Sequence, residues 1–284
     1  MFDQAKRAFA LVGPGRAGTT LAVAMAARGW TPIAVGGRSP DSPSVLRGAQ
    51  RLGAPPCELS DVGCDADLVV IATPDAAIAD AAASIASGLR PGVLVIHLSG
   101  ACTLDELEKL RVARPDVEVG SLHPLQSLPS VDVGIARLSG SWCAVDGPPA
   151  VERLAVSLGM RPFHVSDDDR VAYHSAATIA SNHLVALLGQ AIRIAERAGV
   201  PSAALFPLVR ATVDNVETLG ANAALTGPVA RGDVDTVLRH LVALPDDERT
   251  AYRALADQAR LLAGGTDTAL VEALTSSEAL RGER

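Results

Sequence analysis

Through the first half of the chain, short apolar runs alternate with longer stretches of helical periodicity. Strands are predicted at Phe9–Val12, Pro32–Val35, Leu68–Ala72, Val93–Leu98, Val117–Ser121, Trp142–Val145 and Phe163–Val165. Between them, Thr19–Arg28, Ala76–Ser87, Leu104–Leu110 and Val151–Leu158 carry apolar residues at helical spacing. Strand alternating with helix is the pattern of an α/β domain built on a doubly wound parallel sheet. The pattern changes after Ser166-Asp167-Asp168-Asp169. Residues 170–199 hold no proline and no glycine before Gly199 except Gly189, and read as one long helix that is apolar nearly all round. Such a helix is expected in a core or at a subunit interface. Gly199-Val200-Pro201 stops it, and helices follow at Pro201–Leu219, Val234–Leu244, Asp246–Ala263 and Thr266–Leu280. The expected organisation is an α/β domain over residues 1–166 and an all-helical domain over residues 167–284.

Composition narrows the partners. A net charge of −7 disfavours nucleic acid and anionic membrane surfaces. No apolar stretch reaches the eighteen or so residues of a membrane span, and the N-terminus runs straight into the first strand with no room for a signal peptide. Cys57, Cys64, Cys102 and Cys143 form no C-x-x-C pair. Neither a metal site nor a disulfide is expected, and a cytoplasmic setting fits.

The first strand breaks into Gly13-Pro14-Gly15-Arg16-Ala17-Gly18, a G-x-G-x-x-G turn opening a helix. Gly13 permits the tight turn, Gly15 lets backbone approach a pyrophosphate, and Gly18 lets the helix pack on the strand. The helix N-terminus offers free N–H groups to phosphate, with Arg16 beside them. A dinucleotide is expected. Where an NAD protein places an acid on the ribose, the second strand ends in Gly36-Gly37-Arg38-Ser39. The guanidinium of Arg38 and the hydroxyl of Ser39 suit a 2′-phosphate, so the expected cofactor is NADP, as NADPH. Thr73-Pro74 and Ser99-Gly100 close the next strands and are placed beneath the ribose and nicotinamide.

Hydride transfer also needs a donor for the oxygen that becomes negative. Two segments offer one. In His123-Pro124-Leu125-Gln126-Ser127, His123 is a proton donor and Gln126 a polar substrate contact. In the long helix, His174, Thr178 and Asn182 fall at spacing four, on one polar stripe of an apolar helix. His183 lies off the stripe. Asn215 and Arg231, the latter in Thr226-Gly227-Pro228-Val229-Ala230-Arg231-Gly232-Asp233, are further candidates for holding an anionic substrate. His240 reads as a core or helix-face residue.

Taken in order, Gly13-Pro14-Gly15-Arg16-Ala17-Gly18, Ala72-Thr73-Pro74-Asp75, Leu98-Ser99-Gly100, His123-Pro124-Leu125-Gln126, Tyr173-His174 with Ser181-Asn182, and Thr226-Gly227-Pro228 with Arg231-Gly232-Asp233 carry a resemblance over nearly the whole chain. The chain resembles a bacterial family of Rossmann-like proteins with a helical C-terminal domain of formerly unknown function. That family is similar to the 6-phosphogluconate dehydrogenase-like group and to the alternative ketopantoate reductases. The resemblance implies an NADPH-dependent reductase of a small 2-oxo acid, best matched by ketopantoate, and a homodimer joined through the helical domain. Related hydroxyacid dehydrogenases carry a catalytic lysine four residues before an asparagine on this helix. If Asn182 is that asparagine, Thr178 takes the lysine position, and the proton must come from His123 or His174. The alternatives are a non-catalytic NADP-binding sensor or structural protein, and an imine reductase similar to pyrroline-5-carboxylate reductase.

Overall fold

The computed structural model describes residues 7–265 and 267–275. In chain order these residues form β1 (Ala8–Val12), α1 (Arg16–Ala26), β2 (Thr31–Gly36), α2 (Pro43–Leu52), β3 (Leu68–Ile71), α3 (Ile78–Ile85), β4 (Leu94–His97), α4 (Glu108–Ala113), β5 (Glu118–Leu125), α5 (Val131–Leu138), β6 (Trp142–Asp146), α6 (Pro149–Ser157) and β7 (Arg161–Phe163). Helices α7 (Arg170–Thr178), α8 (Leu184–Arg197), α9 (Leu205–Leu219), α10 (Ala221–Ala224), α11 (Val234–Ala243), α12 (Asp246–Leu262) and α13 (Thr268–Thr275) follow. Of the helix expected at Thr266–Leu280, Thr266 and residues 276–280 lie outside the described residues. The chain divides into two compact units, parting between Ser181 and Asn182.

The first unit is a seven-stranded sheet of order β2-β1-β3-β4-β5-β6-β7. Alternation sorts its side chains onto two faces. Phe9, Leu11, Leu68, Val70, Leu94 and Ile96 join one apolar cluster with α1 and α6. Ala10, Val12, Val69, Ile71 and Val95 join another with α3 and α4.

Two details differ from the expectation. The sheet is parallel from β2 through β5; β6 pairs antiparallel with β5, and β7 is again parallel to β6. The connection through α5 brings the chain back beside the end of β5 that it left, so β6 runs the opposite way. In addition, β5 does not stop at Ser121 but continues through His123 and Pro124 to Leu125. β4 ends opposite Ser121, so beyond it β5 pairs only with β6. One edge of its backbone is free there, which is where a strand tolerates proline.

α7 belongs to the first unit and packs on the sheet, so this unit extends past residue 166. The helix predicted over 170–199 is interrupted at Ile179–His183 by a π-helical turn. The spacing of 3.6 residues that aligned Asn182 with His174 and Thr178 therefore fails across this segment. The helix is not buried in a core either. Arg170 is the one buried residue of α7 and Gln190 that of α8, while Val171, Ile179, Val185 and Leu187 are exposed.

The second unit packs around Val237, Leu241, Ala256, Leu270 and Leu274. Glu248 of α12 ties it to α8. Its carboxylate accepts from Arg193 Nε and Nη2 at 2.8 and 3.1 Å, and its carbonyl from Gln190 Nε2 at 2.9 Å. No helix among the described residues is long and apolar enough to cross a membrane.

Candidate active site

One register row crosses the sheet from Gly36 through Val12, Ile71, His97 and Ser121 to Asp146. Immediately past it, at the carboxyl ends of the parallel strands, stand Gly13, Gly37-Arg38, Ala72-Thr73, Leu98-Ser99-Gly100 and His123. This edge is where open α/β sheets bind ligands.

At the β1–β3 end lies a cavity of about 500 Å³. It is lined by Gly13, Pro14, Gly15, Arg38, Thr73 and Pro74, and on its far side by Ser44, Leu59, Asp80 and Ser84. The glycines have the expected tasks. Gly13 has φ +79°, and a Cβ there would meet Thr73 N at 2.8 Å. A Cβ on Gly18 would meet Ala72 Cβ at 2.6 Å. Gly15 faces open space ahead of α1. α1 has no side-chain cap and no acid in its first turn, leaving its N–H groups for an anion. The hydroxyl of Thr73 is buried without a hydrogen-bond partner, a vacancy that a ribose or phosphate oxygen would satisfy. These residues fit a dinucleotide.

Two of the residues expected here are turned elsewhere. Arg16 is exposed and reaches the Pro129 carbonyl at 3.4 Å. Ser39 lies outside the cavity lining, and its hydroxyl accepts from Asp41 N at 3.3 Å. Ser44, on the first turn of α2, was not singled out from the sequence and lines the same cavity as Arg38.

At the β4–β5 end, α7 lays three polar side chains on the sheet. The buried Arg170 sits over Ser121 and Asp146. Its Nη2 donates to Ser121 Oγ at 2.8 Å and to Asp146 Oδ2 at 3.5 Å, and Nη1 donates to the Cys102 carbonyl at 3.2 Å. Asp167 lies 3.7 Å from its Nε. One helical turn on, the Tyr173 hydroxyl is 2.7 Å from His123 Nδ1. The His174 ring stands 5.8 Å from that of His123, centroid to centroid. Gly100 makes room for both imidazoles: a Cβ there would fall 2.7 Å from His123 Cε1 and 2.8 Å from His174 Cδ2.

Burial, reinforced by His174 and Arg170, lowers the pKa of His123 to about 4. Its imidazole is therefore neutral at physiological pH. Burial raises the Tyr173 phenol to about 12.

His97, which the sequence did not single out, is fully buried beneath this cluster. Its Nδ1 accepts from Ser99 N at 3.2 Å, so Nε2 carries the proton and donates to the Thr103 carbonyl at 3.2 Å. Burial and Arg170 hold it near 4. Ser99, expected at the cofactor, has its hydroxyl bonded by Ala101 N and Cys102 N at 3.2 and 3.0 Å. Together these bonds set the turn that presents Gly100.

The structure thus brings together His123, His174 and Gly100, adding Tyr173 and Arg170. Gln126 is exposed just past β5, and Thr178 is half-buried at the end of α7. Asn182, Asn215 and Arg231 belong to the second unit and are exposed there. Among the described residues no group of three or more His, Cys, Asp or Glu side chains is placed to hold a metal ion.

Residues 2–122 match the Rossmann-like domain family. Residues 143–259 match a domain of unknown function, DUF2520. The chain thus joins a region that matches the Rossmann-like domain family to one that matches DUF2520. No curated protein matches it. Among solved structures, a candidate NADP oxidoreductase from Bacteroides fragilis is 23% identical, with TM-score 0.74 over 90% of this chain and 98% of that one. An imine reductase from Myxococcus stipitatus in complex with NADP+ is 19% identical, with TM-score 0.62 over 95% and 100%. A pyrroline-5-carboxylate reductase from Coxiella burnetii is 17% identical, with TM-score 0.55 over 97% and 98%. At these identities the likeness establishes a shared fold.

Proposed function

We propose that the protein is an NADPH-dependent oxidoreductase that reduces a small anionic 2-oxo acid, with ketopantoate the first substrate to try. The observation that carries this reading is the placing of two features on one sheet edge. One is a cavity lined by the glycine turn and by an arginine where NAD proteins place an acid. The other is the His123–Tyr173–His174 cluster.

Gly13, Gly15 and the α1 N-terminus would hold the pyrophosphate, Thr73 a ribose or phosphate oxygen, and Arg38 with Ser44 the 2′-phosphate. Bound there, the reduced cofactor supplies a hydride to the substrate carbon. The chain's own residues have two tasks. They present a hydrogen-bond donor to the oxygen that gains the electron pair, and they deliver its proton. The cluster would meet both without a lysine at position 178.

We also assign a cytoplasmic setting, which the four free thiols suit, and a homodimer through the helical unit. The supporting observation is the exposed apolar surface of α8 and α9, including Val185, Leu208, Val213 and Leu219. The imine reductases of like fold favour a second reading of the same site, with a C=N bond in place of C=O.

The test is fluorescence titration with NADPH and NADH, followed by NADPH oxidation with a panel of 2-oxo acids and cyclic imines. Tighter binding of NADPH and turnover of a 2-oxo acid are expected. NADPH binding without turnover of any probe would identify a sensor instead.

A further inference from the structure

Antiparallel β5–β6 pairing sets His123 opposite Ala144, and parallel β6–β7 pairing sets Ala144 opposite Phe163. Directly paired residues share a face, so His123, Ala144 and Phe163 form one row across three strands. The outer two stand two strand spacings apart, about 10 Å. Ala144 between them ends at its Cβ, which leaves a slot one ring wide.

The Tyr173 ring fills that slot. It meets His123 edge-to-face at 5.6 Å and 84° and Phe163 at 5.7 Å and 77°. One turn back on α7, Arg170 grips the neighbouring row of Ser121 and Asp146. The helix is thus indexed on the sheet at two successive rows. In a chain with 3% aromatic residues, two of them are spent on this one contact.

We infer that Tyr173 is the catalytic proton donor of the proposed reduction, and that Ala144 and Phe163 are positioning residues that hold its hydroxyl against His123. This rests on the reductase reading. In the arrangement required, His123 carries its proton on Nδ1 and donates to the Tyr173 oxygen, leaving the phenolic hydrogen free for substrate. When hydride from the reduced nicotinamide dinucleotide reaches the substrate carbon, the C=O π pair moves onto oxygen. The Tyr173 O–H bond breaks, and its proton joins that oxygen. The phenolate left behind accepts from His123 Nδ1–H, lies near the Arg170 guanidinium, and recovers a proton from water. The high pKa of this half-buried phenol does not impede this, because an alkoxide is more basic still.

Two measurements test the assignment on the full-length protein. The first is ¹⁵N NMR of the histidine rings, which distinguishes the tautomers with or without substrate. A Nδ1–H tautomer for His123, lost in both Tyr173→Phe and Phe163→Ala and restored in Phe163→Tyr, is expected. A Nε2–H tautomer in the wild type overturns the hydrogen-bond direction and with it the donor role. The second is steady-state reduction of whichever oxo acid the wild type accepts. Tyr173→Phe should lower kcat about 100-fold or more while leaving the NADPH Kd within about twofold. Phe163→Ala should lower kcat about tenfold with KM little changed, as expected when only orientation is lost. A Tyr173→Phe enzyme retaining more than half its kcat overturns the proposal. If the wild type reduces no probe, the reductase reading falls and takes the donor role with it, while the tautomer data still decide the slot.

Discussion

The protein contains two histidine–tyrosine pairs of nearly the same local geometry. His123 and Tyr173 meet at 2.7 Å with rings at 84°; His240 and Tyr252 meet at 2.8 Å with rings at 87°. The first joins a strand to a helix across fifty positions of sequence, the second joins α11 to α12 across twelve. His123 is part of a cluster with His174, Gly100 and Arg170, and its pKa falls to about 4. His240 is an exposed helix-face residue, and Tyr252 leans on the apolar cluster of the second unit. The contact itself is the same. What makes one pair a candidate for chemistry is the charge around it and its place on the carboxyl edge of the sheet.

Removing each histidine should separate the pairs most sharply. His123→Ala is expected to cut turnover of the accepted oxo acid by about 100-fold or more, with NADPH affinity preserved. His240→Ala should stay within about twofold of wild type. Equal losses in the two variants would erase the distinction.

The buried His97 and the half-buried His123 also predict an acid limit. His97 and His123 both have folded pKa values of about 4, against 6.5 for an unperturbed histidine. The unfolded chain then binds more protons between these values, so stability is lost as pH falls from about 6.5 towards 4 and is flat with respect to these groups above that window. The loss is on the order of 3–4 kcal/mol per histidine at full shift. Chemical denaturation at pH 7.5 and at pH 4.5 should show it, with a shallower slope in His97→Gln. An equally steep slope in that variant would remove His97 from the account.

Arg38→Ala probes the cofactor end of the same edge. Loss of a charge-assisted contact to the 2′-phosphate should raise the NADPH Kd about 10–100-fold and leave the NADH Kd nearly unchanged; isothermal titration with both nucleotides gives the ratio. Gly100→Ala is the finest probe, because it places a methyl group between the His123 and His174 rings. A cost of about 1–3 kcal/mol in thermal stability is expected, together with a change in the His123 ring resonances. The resonances of His240 should not move.

Much of the first unit was legible because its signals are local. The alternation of apolar runs marks strands whose two faces are both covered, and the G-x-G-x-x-G turn writes a tight backbone path into adjacent residues. Arg38 was legible as the departure from an acid at a fixed offset. Three features were less accessible. The apolar run suggested a strand ending at Ser121, yet β5 continues to Leu125 because it pairs there with β6, and its free edge on the β4 side accommodates Pro124. The polar stripe of His174, Thr178 and Asn182 assumed uniform α-helical spacing, which the turn at Ile179–His183 breaks. Ser44 carries no signal of its own and depends on where α2 begins beside the cavity.

By itself, the sequence determined the positions of the strands, the glycine turn and the absence of an acid after β2, because each is set by residues within a few positions of one another. The tertiary structure alone decided that Tyr173 meets His123, that Arg170 is buried over Ser121 and Asp146, and that His97 underlies the turn bearing Gly100. Those contacts depend on strand register and on where α7 lands on the sheet. They join residues far apart in the chain, and no local pattern encodes such a distance.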